Sequence, residues 1–326
     1  EDDGIAVLRE AFQQGDAATG GGAQTQTTEQ AATQAETGAA TTTKTAETVA
    51  DILAELDALI GLGPVKAQVR KVIAVVQANT EREKAGLKPV QPGLHLVFTG
   101  PPGTGKTTVA RIIARLYAAV GALRGSKFTE ASRSDLVAGY VGQTAIKTRE
   151  VIDKTRPGVL FIDEAYALTP RFDSDFGHEA ISTLVKAMED YRSDFAVIVA
   201  GYEDEMTDFI ESNPGLRSRF KTYINFPDYS PEELTEIFGR MVQDVGLQLG
   251  EGASETAARV FAKAADKPGF GNARFARSLF EQAYARMAAR AAADGAVSVE
   301  ELTTFIPEDI DDDLSMLARE TRRIGF

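Results

Sequence analysis

The sequence predicts an α/β fold in which a parallel five-stranded sheet with flanking helices is followed by a small C-terminal α-helical domain. Three observations predict it. Short apolar runs typical of strands alternate with helical segments, a glycine-rich loop separates the first such strand from the next helix, and strand-like runs cease after Phe226. Alternation of this kind indicates a parallel sheet that binds its ligand at the carboxyl ends of the strands.

The predicted elements follow one another in a regular order. The strand-like runs lie at 94–99, 127–131, 159–162, 195–200 and 222–226. Helical spacing occurs near 104–119, 143–155, 176–191 and 204–212. After the last strand, Ser230-Pro231-Glu232-Glu233 is a capping box that predicts a helix to about Val245. Further helices are predicted near 254–266 and 272–293, with a short one from Ser298.

Composition divides the chain into five predicted segments. Residues 1–15 are predicted to form a short amphipathic helix or the end of a missing upstream part. Residues 16–48 are rich in Gly, Ala, Thr, Gln and Glu, which predicts a disordered linker. The large α/β domain is predicted over 49–228 and the small helical domain over 229–308. An acidic, mobile tail is predicted over 309–326.

Overall composition excludes several classes of function. The chain has 326 residues, no cysteine and two histidines, which excludes disulfides and thiolate catalysis and disfavours a His-rich metal site. The net charge of −13 argues against a nonspecific nucleic-acid binder. No apolar run is long enough for a membrane span, and no signal peptide is visible. We therefore expect a cytoplasmic protein.

The glycine-rich loop is the strongest motif. Residues 100–107 read Gly-Pro-Pro-Gly-Thr-Gly-Lys-Thr and fit the phosphate-binding P-loop pattern between a strand and a helix, where an ordinary glycine turn is the alternative. Backbone amides of such a loop cradle phosphates, Lys106 is placed for the β/γ-phosphates, and the Thr107 hydroxyl is placed for Mg²⁺. The predicted ATP-binding residues here are Gly100, Pro101, Pro102, Gly103, Thr104, Gly105, Lys106, Thr107 and Thr108.

A second motif supplies two acids. The apolar run 159–162 ends in Asp163 and Glu164, which is the Walker B arrangement. Asp163 is predicted to hold Mg²⁺ and Glu164 to polarise the attacking water. The alternative is two solvated loop acids, but that would leave the metal of the P-loop without its usual partner. ATP and Mg²⁺ are therefore the predicted cofactors.

Together with the following helical domain, these motifs resemble the AAA+ ATPases. Longer segments narrow the resemblance to the branch that contains CbbX (the red-type Rubisco activase), stage V sporulation protein K and the type VII secretion ATPase. Those segments are Leu136–Thr144, Val159–Tyr166, Asp175–Ile181 and Ser212–Phe220. The resemblance covers about residues 50–310 and implies an AAA+ P-loop NTPase whose small helical domain is a lid.

The resemblance also implies roles at matching positions. Leu59–Lys66 looks like the AAA+ adenine-pocket segment, with Ile60, Gly61 and Leu62 as candidates for nucleotide contact. Tyr140 and Val141, followed by a glycine, fit the pore loop that grips a substrate chain. An aromatic ring suits that task because it offers a large contact area for little entropy cost. The alternative for Tyr140 is a loop side chain packed under its own domain.

Three arginines have roles implied by the family. Arg219, and second to it Arg217, fits the arginine finger that reaches the γ-phosphate on a neighbouring subunit, although either could be a surface cation. Arg274 resembles sensor 2, which touches the γ-phosphate from the lid, whereas Arg277 could face the surface. Tyr202 stands where many relatives have the polar sensor 1, and a packed structural role is equally open.

The resemblance implies an ATP hydrolase that forms a homo-oligomeric ring, expected to be a hexamer, and remodels or threads a protein client. Two alternatives stay open. One is a DNA-acting AAA+ protein, which the acidic composition disfavours; the other is an ATP-regulated interaction or secretion protein, which the intact Asp163–Glu164 pair disfavours. The motifs encode the motor, and they do not identify the client.

Overall fold

The computed structural model describes residues 47–90, 93–140, 142–170, 175–267, 269–293 and 299–310. All of them belong to the second of the chain's two compact units, Ala46–Phe326. The predicted segment 1–15, nearly all of the predicted linker and most of the predicted tail lie outside the described residues, as does Val141. Within the described ranges, no helix has the length and apolar character to cross a bilayer.

The first part of the described chain is α/β. Two helices precede the first strand: α1 (Val49–Asp57) and α2 (Gly63–Lys84). The alternating part follows as β1 (Leu96–Thr99), α3 (Lys106–Ala119), β2 (Lys127–Ala131), α4 (Arg133–Leu136), α5 (Thr144–Thr155), β3 (Gly158–Ile162), a 3₁₀ turn (Ala165–Leu168), α6 (Gly177–Asp190), β4 (Phe195–Gly201), α7 (Glu203–Glu211), α8 (Pro214–Arg219) and β5 (Thr222–Asn225).

The five strands form one parallel sheet in the order β2-β3-β4-β1-β5. This confirms the predicted fold class. Because all strands run the same way, the P-loop after β1, the acid pair after β3 and Tyr202 after β4 meet at one edge. The backbone N–H of Gly100 donates to the Gly201 carbonyl at 3.1 Å, so the P-loop and the Tyr202 segment leave the neighbouring strands β1 and β4 side by side.

The sheet is buried on both faces, which explains why its strands read as continuous apolar runs. Successive residues of β1 point to opposite sides: Leu96 and Phe98 join one apolar cluster and Val97 joins the other. The first cluster includes α1 to α3 and extends into the C-terminal helices, and the second lies under α6 and α7. Helix layers on both faces therefore hold the sheet edge that carries the motifs.

The first helix begins at Val49, directly after the last residue of the predicted linker. Thr48 caps α1, since its hydroxyl accepts from the Asp51 amide at 3.2 Å and the Asp51 carboxylate accepts from the Thr48 amide at 3.0 Å. Glu47 pairs with Arg115 of α3 at 2.8 Å. Residues 47 and 48, the last two of the predicted linker, thus hold the start of α1 in place. Thr48 satisfies a free amide of its first turn, and Glu47 ties it to α3.

The elements after β5, called the lid below, are mainly helical, as predicted. They are α9 (Pro231–Asp244), β6 (Gln248–Leu249), α10 (Ala253–Ala265), α11 (Ala273–Ala291), β7 (Thr304–Phe305) and two 3₁₀ turns, Glu300–Leu302 and Pro307–Asp309. Ser230 caps α9 through the predicted capping box. The parallel pair β6–β7 was not predicted, because two-residue strands are too short to show alternation.

Candidate functional site

A cavity of about 270 Å³ opens at the carboxyl edge of the sheet, between the P-loop and the lid. Among the residues predicted to bind nucleotide or metal, those that line it are Gly100, Pro102, Gly103, Gly105, Lys106, Thr107, Thr108, Asp163, Glu164 and Arg274. The structure therefore brings the two halves of the predicted ATP site and the lid arginine to one place. Pro101 and Thr104 shape the loop instead, since the Thr104 hydroxyl donates to the Pro101 carbonyl at 2.8 Å.

The P-loop curls tightly before it enters α3. Gly105 is the N-cap of α3 and has a φ of 87°, a left-handed conformation that suits glycine. This turn opens the N-terminus of α3 toward the cavity, where the amides and the helix dipole favour an anion. The loop and the helix start thus have the shape that the motif predicts for a phosphate cradle.

Lys106 lies against the carbonyl groups of its own loop. Its Nζ donates to the carbonyl of Gly100 at 2.9 Å and to that of Pro101 at 2.7 Å. Burial lowers the pKa of Lys106 to about 8; the nearby charge of Arg274 adds to the lowering, and Asp163 and Glu164 oppose it. A phosphate in the cradle would offer this ammonium a charged acceptor in place of two carbonyl dipoles.

The acid pair lies across the cavity from the P-loop. The Asp163 amide donates to the Ala131 carbonyl at 3.2 Å, and the Asp163 carboxylate accepts from the Glu164 amide at 3.1 Å. Glu164 is exposed and has a φ of 47°, which is uncommon for a residue with a side chain. Strained backbone of this kind is frequent where a functional side chain must be aimed.

The donor set at this point fits a hard cation. The Thr107 hydroxyl and the Asp163 carboxylate both line the cavity, and oxygen donors of these types are the ones that Mg²⁺ prefers. Mg²⁺ normally keeps several waters and is held by one or two protein oxygens together with substrate phosphates. Two protein ligands are therefore chemically sufficient here.

Two tyrosines contribute to the cavity wall. Tyr202, just after β4, lines the cavity, and its ring lies 6.4 Å from that of Tyr166. Burial, followed by the nearby Glu164, raises the pKa of the Tyr202 phenol, so it stays a neutral donor near neutral pH. Sequence reasoning missed Tyr166, although it stands two residues after Glu164 in the same motif.

The lid supplies the remaining wall. Arg274 in the first turn of α11 lines the cavity, and so does Arg277 one turn later. The sequence allows Arg277 to face the surface, but the structure places both arginines at the cavity. Met241 of α9 also lines it and was not a candidate, because nothing in its local pattern distinguishes it from a packing residue.

The predicted adenine-pocket segment lies beside the P-loop rather than in the cavity wall. Leu62 is buried in a left-handed conformation with a φ of 57°, and its Cδ1 lies 3.7 Å from where a Gly105 side chain would begin. A Cβ on Gly61 would lie 2.3 Å from the carboxylate of Glu233 in the first turn of α9, so this segment packs closely on the lid. Ile60 is half-buried next to them. The three residues are thus placed between the P-loop and the lid.

Arg217 and Arg219 do not reach this cavity. They end α8, immediately before β5, and therefore lie at the amino edge of the sheet, opposite the P-loop. Arg219 pairs with Glu189 at 3.2 Å, and Arg217 pairs with Glu211 at 3.1 Å. Neither guanidinium can serve the nucleotide site of its own chain from this position.

His95 supports the segment that carries these arginines. It is buried at the start of β1, its Nδ1 accepts from the Val197 amide at 3.0 Å, and its ring meets the edge of Phe220 at 6.1 Å. Burial lowers the pKa of His95 to about 4, and the charge of Arg219 acts in the same direction. The imidazole is therefore a neutral packing group in this fold.

Tyr140 stands on an exposed loop between α4 and α5, with 74% of its surface accessible. The base of the loop is held by side chains of α5. Thr148 donates to the Leu136 carbonyl at 2.9 Å, Lys147 donates to the Val137 carbonyl at 3.2 Å, and Thr144 accepts from the Ala138 amide at 3.0 Å. Tyr140 is thus presented to solvent on an anchored loop and does not pack under its own domain.

Comparisons with known proteins agree with this geometry. Residues 96–228 match the family described as ATPase family associated with various cellular activities (AAA), and residues 230–320 match the AAA lid domain. Among solved structures, the FIGL-1 AAA domain in complex with ADP is similar with a TM-score of 0.57 and 21% identity, covering 82% of this chain and 83% of that one. That likeness concerns the fold.

Curated relatives are similar over most of the chain. Protein CbbX of Cereibacter sphaeroides is 46% identical over 80% of this chain and 85% of its own length. A chloroplastic ribulose bisphosphate carboxylase/oxygenase activase of Cyanidioschyzon merolae is 45% identical over 81% and 89%. Stage V sporulation protein K of Bacillus subtilis is 43% identical over 74% and 76%.

Proposed function

Since the chain belongs to the AAA ATPases, in the branch of CbbX and stage V sporulation protein K, and is an ATP hydrolase, we propose that it hydrolyses ATP with Mg²⁺ in a homo-oligomeric ring. The ring is expected to be a hexamer and to remodel or thread a protein client. The observation that carries the proposal is the placement of Arg219 at the sheet edge opposite the P-loop. A cation so placed can complete a phosphate site only on another subunit.

Within one chain, the residues divide the chemistry among them. The P-loop amides and Lys106 bind the phosphates, and Ile60, Gly61 and Leu62 lie on the side where the base would sit. Glu164 orients and polarises the attacking water. Arg274 approaches the terminal phosphate from the lid. Thr107 and Asp163 would hold Mg²⁺, which offsets charge on the β- and γ-phosphate oxygens.

A neighbouring subunit completes the site. The guanidinium of Arg219 is planar and permanently charged, which suits the charge that spreads over a phosphoryl group in transfer. Its present partner, Glu189, is 63% exposed, so the pair is weak and exchange for a phosphate is favourable. Arg217, more exposed on the outer side of α8, is the second candidate.

Mixed assemblies test the shared site. Glu164→Gln should retain ATP binding and lose hydrolysis, and Arg219→Ala should also be inactive. An equimolar mixture should regain activity, because about a quarter of randomly formed interfaces would join an intact Glu164 to an intact Arg219. Arg217→Ala in place of Arg219→Ala serves as the matched control. An inactive mixture would contradict a finger supplied from a neighbour.

The client is proposed to be a protein. One relative is named as an activase of ribulose bisphosphate carboxylase/oxygenase, so its name gives a protein as the object of its action. Tyr140 has the exposure that a gripping side chain needs, and Val141, outside the described residues, is proposed to act beside it.

The Glu164→Gln variant with ATP can trap the client for crosslinking and identification. With the client in hand, Tyr140→Ala should abolish remodelling and leave basal hydrolysis nearly unchanged. Ile146→Ala, which removes another exposed apolar side chain from the adjacent helix, is the control. Unchanged remodelling by Tyr140→Ala would remove Tyr140 from this role. Stimulation of hydrolysis by DNA would instead favour a nucleic-acid substrate.

A further inference from the structure

One buried amide side chain joins the P-loop to the lid. Asn272 is fully buried at the N-cap of α11. Its Nδ2 donates to the Pro102 carbonyl at 3.3 Å and to the Asp228 carboxylate at 2.8 Å, and its Oδ1 accepts from the Tyr229 amide at 2.9 Å. Three separate segments, namely the P-loop, the connection between β5 and α9, and the start of α11, are thus held by a single planar group.

The backbone around Asn272 is equally close to the P-loop. The Ala273 amide donates to the Gly103 carbonyl at 3.2 Å. A Cβ on Gly103 would come within 2.1 Å of the Gly271 carbonyl oxygen. The start of α11 therefore rests directly on the P-loop, with no intervening side chain to absorb a movement of either one.

Asn272 itself adopts an unfavourable backbone conformation. Its φ is 50° and its ψ is −126°, a region that glycine enters readily and residues with a Cβ avoid. Glycine would remove this strain, but it would also remove all three side-chain hydrogen bonds. The presence of asparagine here indicates that its three side-chain hydrogen bonds offset the free energy of the backbone strain. Conformations of this kind concentrate at sites that must be held in one geometry.

We propose that Asn272 is a positioning residue that couples the phosphate loop to the lid and thereby sets Arg274 against the nucleotide. Displacement of the Pro102 carbonyl on phosphate binding passes through the Asn272 amide to Asp228 and Tyr229, and so to the starts of both α9 and α11. Arg274, two residues further along, moves with the start of α11. The inference rests on the proposed role of Arg274 and adds the group through which that role is exerted.

Two variants separate the backbone from the amide. Asn272→Gly fits the observed φ and deletes the side chain. Asn272→Asp keeps the acceptor for the Tyr229 amide but replaces the donor with an acceptor that faces the Pro102 carbonyl and the Asp228 carboxylate. Both should lower kcat about tenfold, whereas KM should change less than threefold, because the P-loop remains intact. Asn79→Asp is the control, since Asn79 is another buried asparagine. It links α2 to the chain at Val90 and does not line the cavity.

Lid movement is measured directly in the same proteins. The chain has no cysteine, so Gln68→Cys on α2 and Ala285→Cys on α11 accept spin labels without background. In the full-length protein, the distance between the labels should differ between ADP and ATP in the Glu164→Gln background. Asn272→Gly should remove that difference, with a melting temperature close to that of Asn79→Asp. A nucleotide response that persists in Asn272→Gly would overturn the proposal.

A double-mutant cycle with Arg274→Ala separates this proposal from the proposed role of Arg274. If Asn272 acts through Arg274, then Asn272→Gly should reduce kcat no further in the Arg274→Ala background. Multiplicative losses would overturn the coupling and leave the role of Arg274 in place. An Arg274→Ala protein with normal turnover would overturn that role, whereas loss of the distance change in Asn272→Gly would still support the link between loop and lid.

Discussion

Arg133 and Asp175 form an ion pair that joins the tyrosine loop to the segment following the acid pair. One guanidinium nitrogen of Arg133 donates to the Asp175 carboxylate at 2.7 Å, and another donates to the Ala167 carbonyl at 2.6 Å. Asp175 also accepts from the Gly177 amide at the start of α6. Since Ala167 follows Glu164 closely and Arg133 begins the helix that leads to Tyr140, one side chain connects the segment after the acid pair to the exposed loop.

Removal of that connection should loosen the Tyr140 loop. We expect Arg133→Ala to raise the rate of chymotrypsin cleavage after Tyr140 about tenfold, because α4 loses its attachment to the 3₁₀ turn while ATP binding persists. Arg133→Lys keeps the positive charge but loses the two-pronged guanidinium, so its cleavage rate should lie between those of the unaltered protein and Arg133→Ala. Arg111→Ala, which breaks an exposed ion pair with Glu130, is the control and should leave cleavage unchanged. Equal cleavage in Arg133→Ala and Arg111→Ala would contradict the connection.

Nucleotide affinity should depend on the charge of Lys106. Its pKa of about 8 means that the ammonium loses its proton as pH rises through that value, whereas bound phosphate favours the charged form. Binding therefore takes up a proton above pH 8, and affinity for ADP should fall by at most tenfold per pH unit there and be flat below about pH 7. Calorimetry in two buffers at pH 8.5 measures the uptake. Lys106→Ala should bind weakly and show none; equal uptake in that variant would assign the proton to another group.

His95 should make the fold sensitive to acid. Its folded-state pKa is near 4 and its ordinary value near 6.5, so the unfolded chain binds a proton first as pH falls between these values. Stability is therefore lost over that range, by up to roughly 3 kcal/mol from this residue. Denaturant titrations of His95→Gln should show a shallower loss between pH 6.5 and 4. His178→Gln, at an exposed histidine, should retain the full slope, and identical slopes would exclude His95 as the cause.

Comparison of Gly103 with Gly86 isolates the contact between the P-loop and the lid, because only Gly103 makes that contact. Both have a φ of 73°, but a Cβ would meet nothing within 4 Å at Gly86 and would lie 2.1 Å from the Gly271 carbonyl oxygen at Gly103. Gly86→Ala should cost about 1 kcal/mol through backbone strain alone. Gly103→Ala should cost more and also lower ATP turnover, since the lid must shift. Chemical denaturation with steady-state kinetics tests this, and equal effects would argue against a tight contact.

Sequence was sufficient for the parts of the site that are local. The P-loop and the Asp163–Glu164 pair are short, contiguous segments whose chemistry requires particular residues, and the cavity brings them together as predicted. Tyr166, Met241 and Asn272 were missed as contributors. Their contact with the site depends on how the 3₁₀ turn and the lid pack on the P-loop, and no local periodicity encodes that packing.

Tertiary packing also explains the other differences between the predictions and the structure. Arg277 was open as a surface residue because the sequence of the predicted helix 272–293 does not fix which of its faces meets the large domain. Only the docking of α11 places Arg277 at the cavity. The strand pair β6–β7 joins segments far apart in the chain through two residues each. Tertiary placement, rather than propensity, decides such features.

The two hydrogen bonds from Lys106 to the carbonyls of its own loop also affect product release. A phosphate that leaves Lys106 does not expose a bare ammonium in a dry site, because the Gly100 and Pro101 oxygens are already within reach to replace it. These two carbonyl groups thus compete with a bound phosphate for the Lys106 ammonium. This competition weakens phosphate binding, but it also lowers the barrier to product release, which is the slow step of turnover in many enzymes.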